Sequence, residues 1–541
     1  MLNRKERAND HQRLIQRHWL AWAFICISIT AILFPALGFW AKVNQDEMQI
    51  LDLGRSFLNP DTDWSMNWLV HESRSLLPAS YIGPALQEWA FQLFLPSITG
   101  TRFSSLAGAL LASTLAFGWL LRRRMPAWGA LLLATIFLLD PILNASYREG
   151  RVDSWALAAC LGSCWLLRIA SDRSRAGLNC FWHLNVAGFL AGLAPFVWPT
   201  AFAVMPLIFV ELFYVIFSKN QWKTDQNISG MSKLLMYFVM GGVVFCLFAT
   251  IPILIEWDVH IKSLIHNAIL QDFASVVKFS FIDLYYIHDR MILILVAAGL
   301  LLRREIGLII ALTVAIVMMY QTMIYPMRVL YLLPYWMAII AGGIAVLTHD
   351  DSAPRHRMAT DKSVHGARRK RLIFEGQSAP RRRLLMYSVL VIALAWNVSV
   401  SLIQRPLIAH QQSSDLSIQI MENALREIVG EGPIRVLTTE WDVYPVARSL
   451  DWKIYYLFGS IDKSRAEYDE LLKSMSYAII RDEFSYAKGV KKSDLERAGF
   501  EELATIEFET PMVENINFGP FKIKPDGLVY HDLVVYKLSP Q

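Results

Sequence analysis

The chain has 541 residues, 54% of them hydrophobic, and a mean hydropathy of +0.34. That is too apolar for an ordinary soluble domain and predicts a polytopic α-helical membrane protein. The net charge of only +5 gives no electrostatic footprint for nucleic acid.

The first eighteen residues carry Arg4, Lys5, Arg7, Arg13 and Arg17. An apolar run over 19–40 follows, with no small-residue cleavage site behind it. This reads as a retained anchor with a cytoplasmic N-terminus. Directly after it comes Asn44-Gln45-Asp46-Glu47-Met48. Two adjacent carboxylates near the membrane surface can supply a general base or ligands for a divalent cation. The same residues also suit a helix start, with Asn44 as the cap and Glu47 reaching back to it. The outer loop 42–99 then holds two short amphipathic stretches, Asp46 to Leu58 and Tyr81 to Leu95, both suited to lie in the interface plane.

About eleven apolar spans are expected: 19–40, 101–121, 126–143, 153–169, 184–198, 200–217, 234–255, 289–302, 306–323, 327–347 and 385–403. Trp198-Pro199 breaks the fifth span from the sixth. The basic clusters test this count. Arg122-Arg123-Arg124, then Arg168, Arg173 and Arg175, then Lys219, Lys223 and Lys233, then Arg303-Arg304 all fall in alternate loops. The polar 348–384 loop, basic and suited to anionic lipid, falls on the same side. With that side cytoplasmic, the positive-inside rule is satisfied and the C-terminus is extracytoplasmic. Cys26, Cys160, Cys164, Cys180 and Cys246 lie in or near apolar segments and read as packing residues, leaving the last part of the chain without a disulfide framework.

Past the last span the pattern changes. Residues 404–541 show short strands at Ile434 to Leu437, Lys453 to Leu457, Tyr477 to Ile480 and Leu528 to Tyr536. Helical stretches at Ile418 to Val429, Tyr468 to Met475 and Ser493 to Ala498 lie among them. This alternation predicts a small α/β domain on the outer face, without a phosphate loop or a metal spacing, in a supporting or acceptor-facing role.

Two further clusters fall on the outer side with Asp46-Glu47. One is Tyr147-Arg148-Glu149-Gly150-Arg151-Val152-Asp153, between the third and fourth spans. The other is Tyr325-Pro326-Met327-Arg328, where the tenth span begins. Arginines there can bind phosphate, and Asp153 can assist Asp46. A solvated hairpin in the first case, and snorkelling to headgroups in the second, account for the same charges. The outer-side histidines, His71, His260, His266 and His288, have no metal spacing.

With these residues in place, residues 19–347 resemble the GT-C superfamily of membrane glycosyltransferases. The likeness is to the branch that holds protein O-mannosyltransferases and the lipid A aminoarabinose transferases. It rests on the acidic pair Asp46-Glu47 and on Pro84 to Leu95 followed by Thr101 to Gly108. It rests also on Gly150-Arg151-Val152-Asp153-Ser154 and on Arg328-Val329-Leu330-Tyr331-Leu332-Leu333-Pro334. Two family motifs are changed: Tyr81-Ile82-Gly83-Pro84 lacks a Glu-Lys-Pro pattern, and Val197-Trp198-Pro199 lacks a Lys-Gly-Pro pattern. The resemblance therefore implies the general chemistry without lipid A or aminoarabinose.

What it implies is an enzyme of the bacterial inner membrane. Such an enzyme moves a sugar, with inversion, from a polyprenyl-phosphate donor to a glycan, lipid or protein acceptor on the outer face. Asp46 is then the base, Glu47 and Asp153 assist, and Arg148, Arg151 and Arg328 hold the donor phosphate. A divalent metal has a place at Asp46 and Glu47, and no organic cofactor is called for. A non-catalytic scaffold, or a transporter of lipid-linked sugars, is the alternative on the same helical frame. A transporter would want broken or charged mid-bilayer helices, and the strong charges here lie at span ends.

Overall fold

The structure is a computed structural model. It describes residues 2–38, 43, 45–59, 80–93, 98–217, 227–255, 257–258, 261, 290–303, 305–321, 326–349, 384–404, 406, 418–456, 465–481, 490–508, 516–518, 521–523 and 532–539. Asn44, Tyr325, the four outer-side histidines and nearly all of the basic 348–384 loop lie outside them. So do most of the outer segments 60–79 and 256–288.

Apolar helices occupy all eleven of the expected spans. Among the described residues seven are long and apolar enough to cross a membrane: Gln16–Ala36, Ile98–Arg122, Asp153–Arg175, Pro199–Ile216, Met231–Ile255, Arg328–Leu347 and Leu384–Ile403. An eighth is a pair, Ala127–Leu138 and Pro141–Arg148, bent by 49°. The bend falls at Asp140, whose carboxylate caps the second helix through the amides of Ile142 and Leu143, with Pro141 at its first position. Shorter apolar helices cover Phe181–Val197, Leu293–Leu302 and Ile306–Met319. The break at Trp198 is real: one helix ends at Val197 and a 3-10 turn, Pro199–Val204, begins the next.

We label the helices that matter to the site. α1 is Leu2–Leu33, α2 Gln45–Leu58, α3 Ile82–Leu93, α4 Ile98–Arg122, α5 Ala127–Leu138, α6 Pro141–Arg148 and α7 Asp153–Arg175. α4 and α7 pack side by side and share the central apolar core, through Leu106, Ala109, Leu157 and Leu161. Both start at the end of the bundle where α2 lies.

The C-terminal region forms an α/β domain. Its sheet has the order β2-β1-β3-β7-β4. β1 (Arg435–Thr438), β2 (Lys453–Tyr456) and β3 (Tyr477–Arg481) are parallel, while β7 (Leu533–Leu538) runs antiparallel to both its neighbours, β3 and β4 (Phe500–Ile506). The strand at 500–506 and a hairpin of β5 (Ile516–Phe518) and β6 (Phe521–Ile523) escaped the sequence reading. Four of the seven residues of β4 are exposed and only its two ends are buried, so it lacks the apolar run of a central strand.

This domain corrects one expectation. α2 is a helix where the sequence predicted one, but it does not lie open in the interface. Met48 and Leu51 join Tyr444, Trp452 and Val446 in one apolar core, together with Phe91 of α3. Polar contacts seal the joint. Arg448 forms a two-point pair with Glu88 of α3 at 2.6 and 3.0 Å. Asp52 and Arg55, on the same helix, are buried and paired at 2.9 Å. A buried two-point Arg–carboxylate pair fixes both distance and angle, so the domain holds α2 and α3 in one pose.

Candidate functional site

α2 brings its first turn, Asp46 and Glu47, against the α6–α7 corner. The two neighbours have different partners. Glu47 is fully buried. Its carboxylate accepts from Arg102 of α4 at 3.0 and 3.2 Å and from the Thr101 hydroxyl at 2.9 Å. Arg102 is itself completely buried and also donates to the Leu37 carbonyl at 3.1 Å. A carboxylate so enclosed has no face left for a substrate. The sequence reading placed Glu47 in the chemistry; the geometry makes it the bolt that fastens α2 to α4.

Asp46 meets Arg151, whose Nη1 donates to Asp46 Oδ2. Arg151 also donates from Nε to Asp153 Oδ2 at 2.8 Å, and the Tyr331 hydroxyl donates to Asp153 Oδ1 at 2.9 Å. Arg151 is thus a brace between two acids. Its guanidinium lies out of water, and the charges of Asp153 and Asp46 hold its pKa above the ordinary arginine value. The expected phosphate role of Arg151 meets an obstacle here, since its charge is already taken up by two carboxylates. Asp153, 1% exposed, orients Arg151 and does not reach outward.

Arg328 enters the same field. It stands at the start of the 3-10 turn Pro326–Leu332, half-buried, within electrostatic reach of Arg151, Asp153 and Asp46. That same turn supplies Tyr331. Arg148, by contrast, ends α6 and lines a narrow crevice with Leu33, Leu37 and Pro406, on the α1 side of the corner. The structure therefore brings together Asp46, Arg151, Asp153 and Arg328 and sets Arg148 and Glu47 to either side.

Glu149, which nothing in the sequence singles out from its charged neighbours, stands in the same field. Burial pushes its carboxyl pKa up; Arg151 and Arg148 oppose the shift, and Asp46 and Glu47 add to it. Its neighbour Gly150 has φ +58°, and a Cβ there would stand 2.5 Å from Glu47 Oε1. The Gly150 and Arg151 carbonyls are pinned in turn, the first accepting from Gln87 at 2.8 Å and the second from Ser105 at 2.6 Å. Only a residue without a side chain fits there, for reasons of both space and backbone. Gly150→Ala is expected to destabilise the protein by about 1–3 kcal/mol from strained backbone alone and to displace Asp46. A thermal melt of the purified variant checks the first effect.

Does a divalent cation fit? Among the described residues no three His, Cys, Asp or Glu side chains converge as a metal set. Between Asp46 and Asp153, the place such an ion would take, stands the Arg151 guanidinium. As arranged, the site has its positive charge built in, and the Asp46–Glu47 pair does not form a chelate. The residues do not fit a resident metal.

The two changed motifs meet in space. Ser80 donates to the Pro195 carbonyl at 2.6 Å, and a Cβ on Gly83 would lie 2.4 Å from the Val197 carbonyl. Close packing joins the two stretches there.

The fold, polytopic and helical with a small C-terminal sheet domain, is similar to those of solved GT-C glycosyltransferase structures. Over 96% of this chain and 99% of the other, it is similar to the crystal structure of ArnT from Cupriavidus metallidurans bound to undecaprenyl phosphate, with a TM-score of 0.58 and 12% identity. It is also similar to the arabinofuranosyltransferase AftD from Mycobacteria, at a TM-score of 0.52 and 12% identity, over 97% of this chain and 40% of that one. An oligosaccharyltransferase from Archaeoglobus fulgidus matches at 0.50 and 11% identity, over 85% of this chain and 69% of that chain. No protein-family model and no curated protein sequence matches the chain.

Proposed function

We propose that this protein is an inverting glycosyltransferase of the membrane, taking a sugar from a polyprenyl-phosphate donor and passing it to an acceptor hydroxyl on the outer face. One observation carries the reading. Of Asp46, Glu47 and Asp153, only Asp46 keeps solvent exposure, 28% of its side chain, while Arg151 fixes its orientation from behind. An oriented, accessible carboxylate beside a second cationic group is what this transfer needs.

The proposed step is a single displacement. The acceptor oxygen bonds to the anomeric carbon as the bond from that carbon to the phosphate oxygen breaks. Asp46 takes the acceptor's proton. The electron pair leaves with the polyprenyl phosphate, which gains negative charge, and Arg328 faces that charge. Arg151 and Asp153 keep Asp46 aimed. The neighbour bound to undecaprenyl phosphate supports a carrier of this chemical kind. In this reading the outer end of the bundle holds the site, the N-terminus is cytoplasmic, the C-terminal domain is extracytoplasmic, and the membrane is the bacterial inner one.

Arg328→Ala tests the donor half. The variant is expected to bind a polyprenyl-phosphate analogue about tenfold more weakly or worse, the loss of one charge-assisted hydrogen bond, with its melting temperature unchanged. Unaltered affinity would return Arg328 to plain snorkelling. The whole reading is tested by incubating the purified protein with a panel of polyprenyl-phosphate sugars and following release of free polyprenyl phosphate. Tight binding with no release from any donor would favour a carrier or scaffold.

A further inference from the structure

The other end of the bundle holds a second built cavity, about 760 Å³ in volume. α4 and α7 run from the Asp46 site to it: Arg102 is beside the site and Arg122 lines the cavity. Twenty helical residues separate them, so the two places are roughly 30 Å apart. Six arginines line the cavity: Arg122, Arg123, Arg124, Arg168, Arg175 and Arg303. Against them stand Asp172 and Glu305 in the wall and Glu211 behind it.

These groups divide into frame and surplus. Arg123 and Arg168 clamp the fully buried Glu211, and Arg123 also reaches Glu305 at 3.0 Å. Arg303 takes Glu305 as well, at 2.9 Å. Arg122 and Arg175 share one carboxylate, Asp172, at 3.2 and 4.0 Å. Arg124 has no acidic partner among the described residues. Among the described residues, the cavity therefore carries unbalanced positive charge at its rim.

Two more observations point to a ligand. Ser171 lines the cavity, is 1% exposed, and its hydroxyl has no hydrogen-bond partner among the described residues. A buried hydroxyl without a partner costs about 1–3 kcal/mol. Arg124 closes α4 in the left-handed conformation, φ +65°. Its amide bonds to the Leu121 carbonyl, and that of Met125 to the Leu120 carbonyl. Glycine makes this helix-ending turn without strain; here an arginine takes it and puts a guanidinium at the cavity rim. The wall is not all polar: Phe217 and Val346, both exposed, form its apolar side.

We propose that this cavity is a second ligand site, for a phosphate group attached to an apolar body, as on the headgroup of an anionic membrane lipid. The surplus guanidiniums and the Ser171 hydroxyl meet the phosphate oxygens, and Phe217 with Val346 meets the acyl chains. The site is independent of the transfer reaction and stands even if that reading fails.

The test uses full-length protein in detergent and native mass spectrometry. Phosphatidylglycerol, diacylglycerol and inorganic pyrophosphate are titrated against wild type, Arg124→Gln and Ser171→Ala. Arg123, Arg168 and Glu211 are left alone because they hold the bundle together. Wild type is expected to retain phosphatidylglycerol well above diacylglycerol. Arg124→Gln should weaken it about tenfold and Ser171→Ala by a smaller factor, with the melting temperature unchanged in the first and unchanged or raised in the second, since alanine removes a buried hydroxyl that has no partner in the unliganded protein. Strong retention of pyrophosphate that falls in the same variants, without selective retention of phosphatidylglycerol, would overturn the lipid assignment and leave a site for a soluble phosphate compound. Equal retention of diacylglycerol, or phosphatidylglycerol binding indifferent to both substitutions, would overturn it. The arginines would then only orient the chain in the bilayer and offset helix C-termini.

Discussion

Asp46→Asn is expected to cut sugar transfer by about 10²–10⁴-fold, the usual contribution of a positioned general base. Folding should survive. Asparagine keeps the volume and one acceptor oxygen for Arg151, and Arg151 retains its 2.8 Å pair with Asp153, so no buried charge is stranded. The partly exposed side chain of Asp46 also limits what its ion pair contributes, to about 1 kcal/mol or less. The measurement is single-turnover transfer beside a thermal melt. A large fall in rate at constant melting temperature supports the base. Wild-type turnover in Asp46→Asn would end the catalytic role of Asp46 and leave it a residue of the helix start. Loss of folding with loss of rate would show that the Asp46–Arg151 contact is structural.

Glu47→Ala, one position along, is expected to behave in the opposite way. It removes the carboxylate from a fully buried Arg102. Breaking such a buried pair by removing one partner costs about 3–5 kcal/mol, a large share of the roughly 5–15 kcal/mol that holds a domain folded. The variant should express poorly or melt early whether or not donor is present. The double variant Glu47→Met, Arg102→Met removes both charges and is expected to regain much of that stability, as exchanges of buried pairs for apolar residues often do. Transfer should stay low in the double variant, because α2 then lacks its tie to α4 and Asp46 loses its aim. If Glu47→Gln instead melts normally and is inactive, Glu47 acts in the chemistry and the assignment of it as an anchor is wrong.

The contrast between adjacent acids marks what could be read from one dimension. The apolar runs determined the helices, because a bilayer satisfies backbone groups only within a helix. The basic clusters at 122–124, 168–175 and 303–304 set the parity that put Asp46, Arg151 and Arg328 at one end, where the structure finds them together. The α/β character of residues 404–541 was legible too, from period-two strands and helical spacing.

Partners across long separations were not legible. Nothing in Asp46-Glu47 says that one carboxylate turns to Arg151, 105 residues on, and the other to Arg102. A helix rotates successive side chains by about 100°, so neighbours face different surroundings. Which surroundings those are depends on how α2 is seated. The seat comes from elements far along the chain, above all Arg448 on Glu88, 360 residues apart. The same holds for the arginine cavity. The sequence shows basic residues at span ends and accounts for them by orientation alone; only the packing of α4 and α7 with the later helices gathers six of them around one space and strands the hydroxyl of Ser171 in its wall. Burial and proximity are properties of the assembled bundle, and they decide which of several like charges is exposed to a ligand, which is held in reserve behind it, and which only fastens one helix to another.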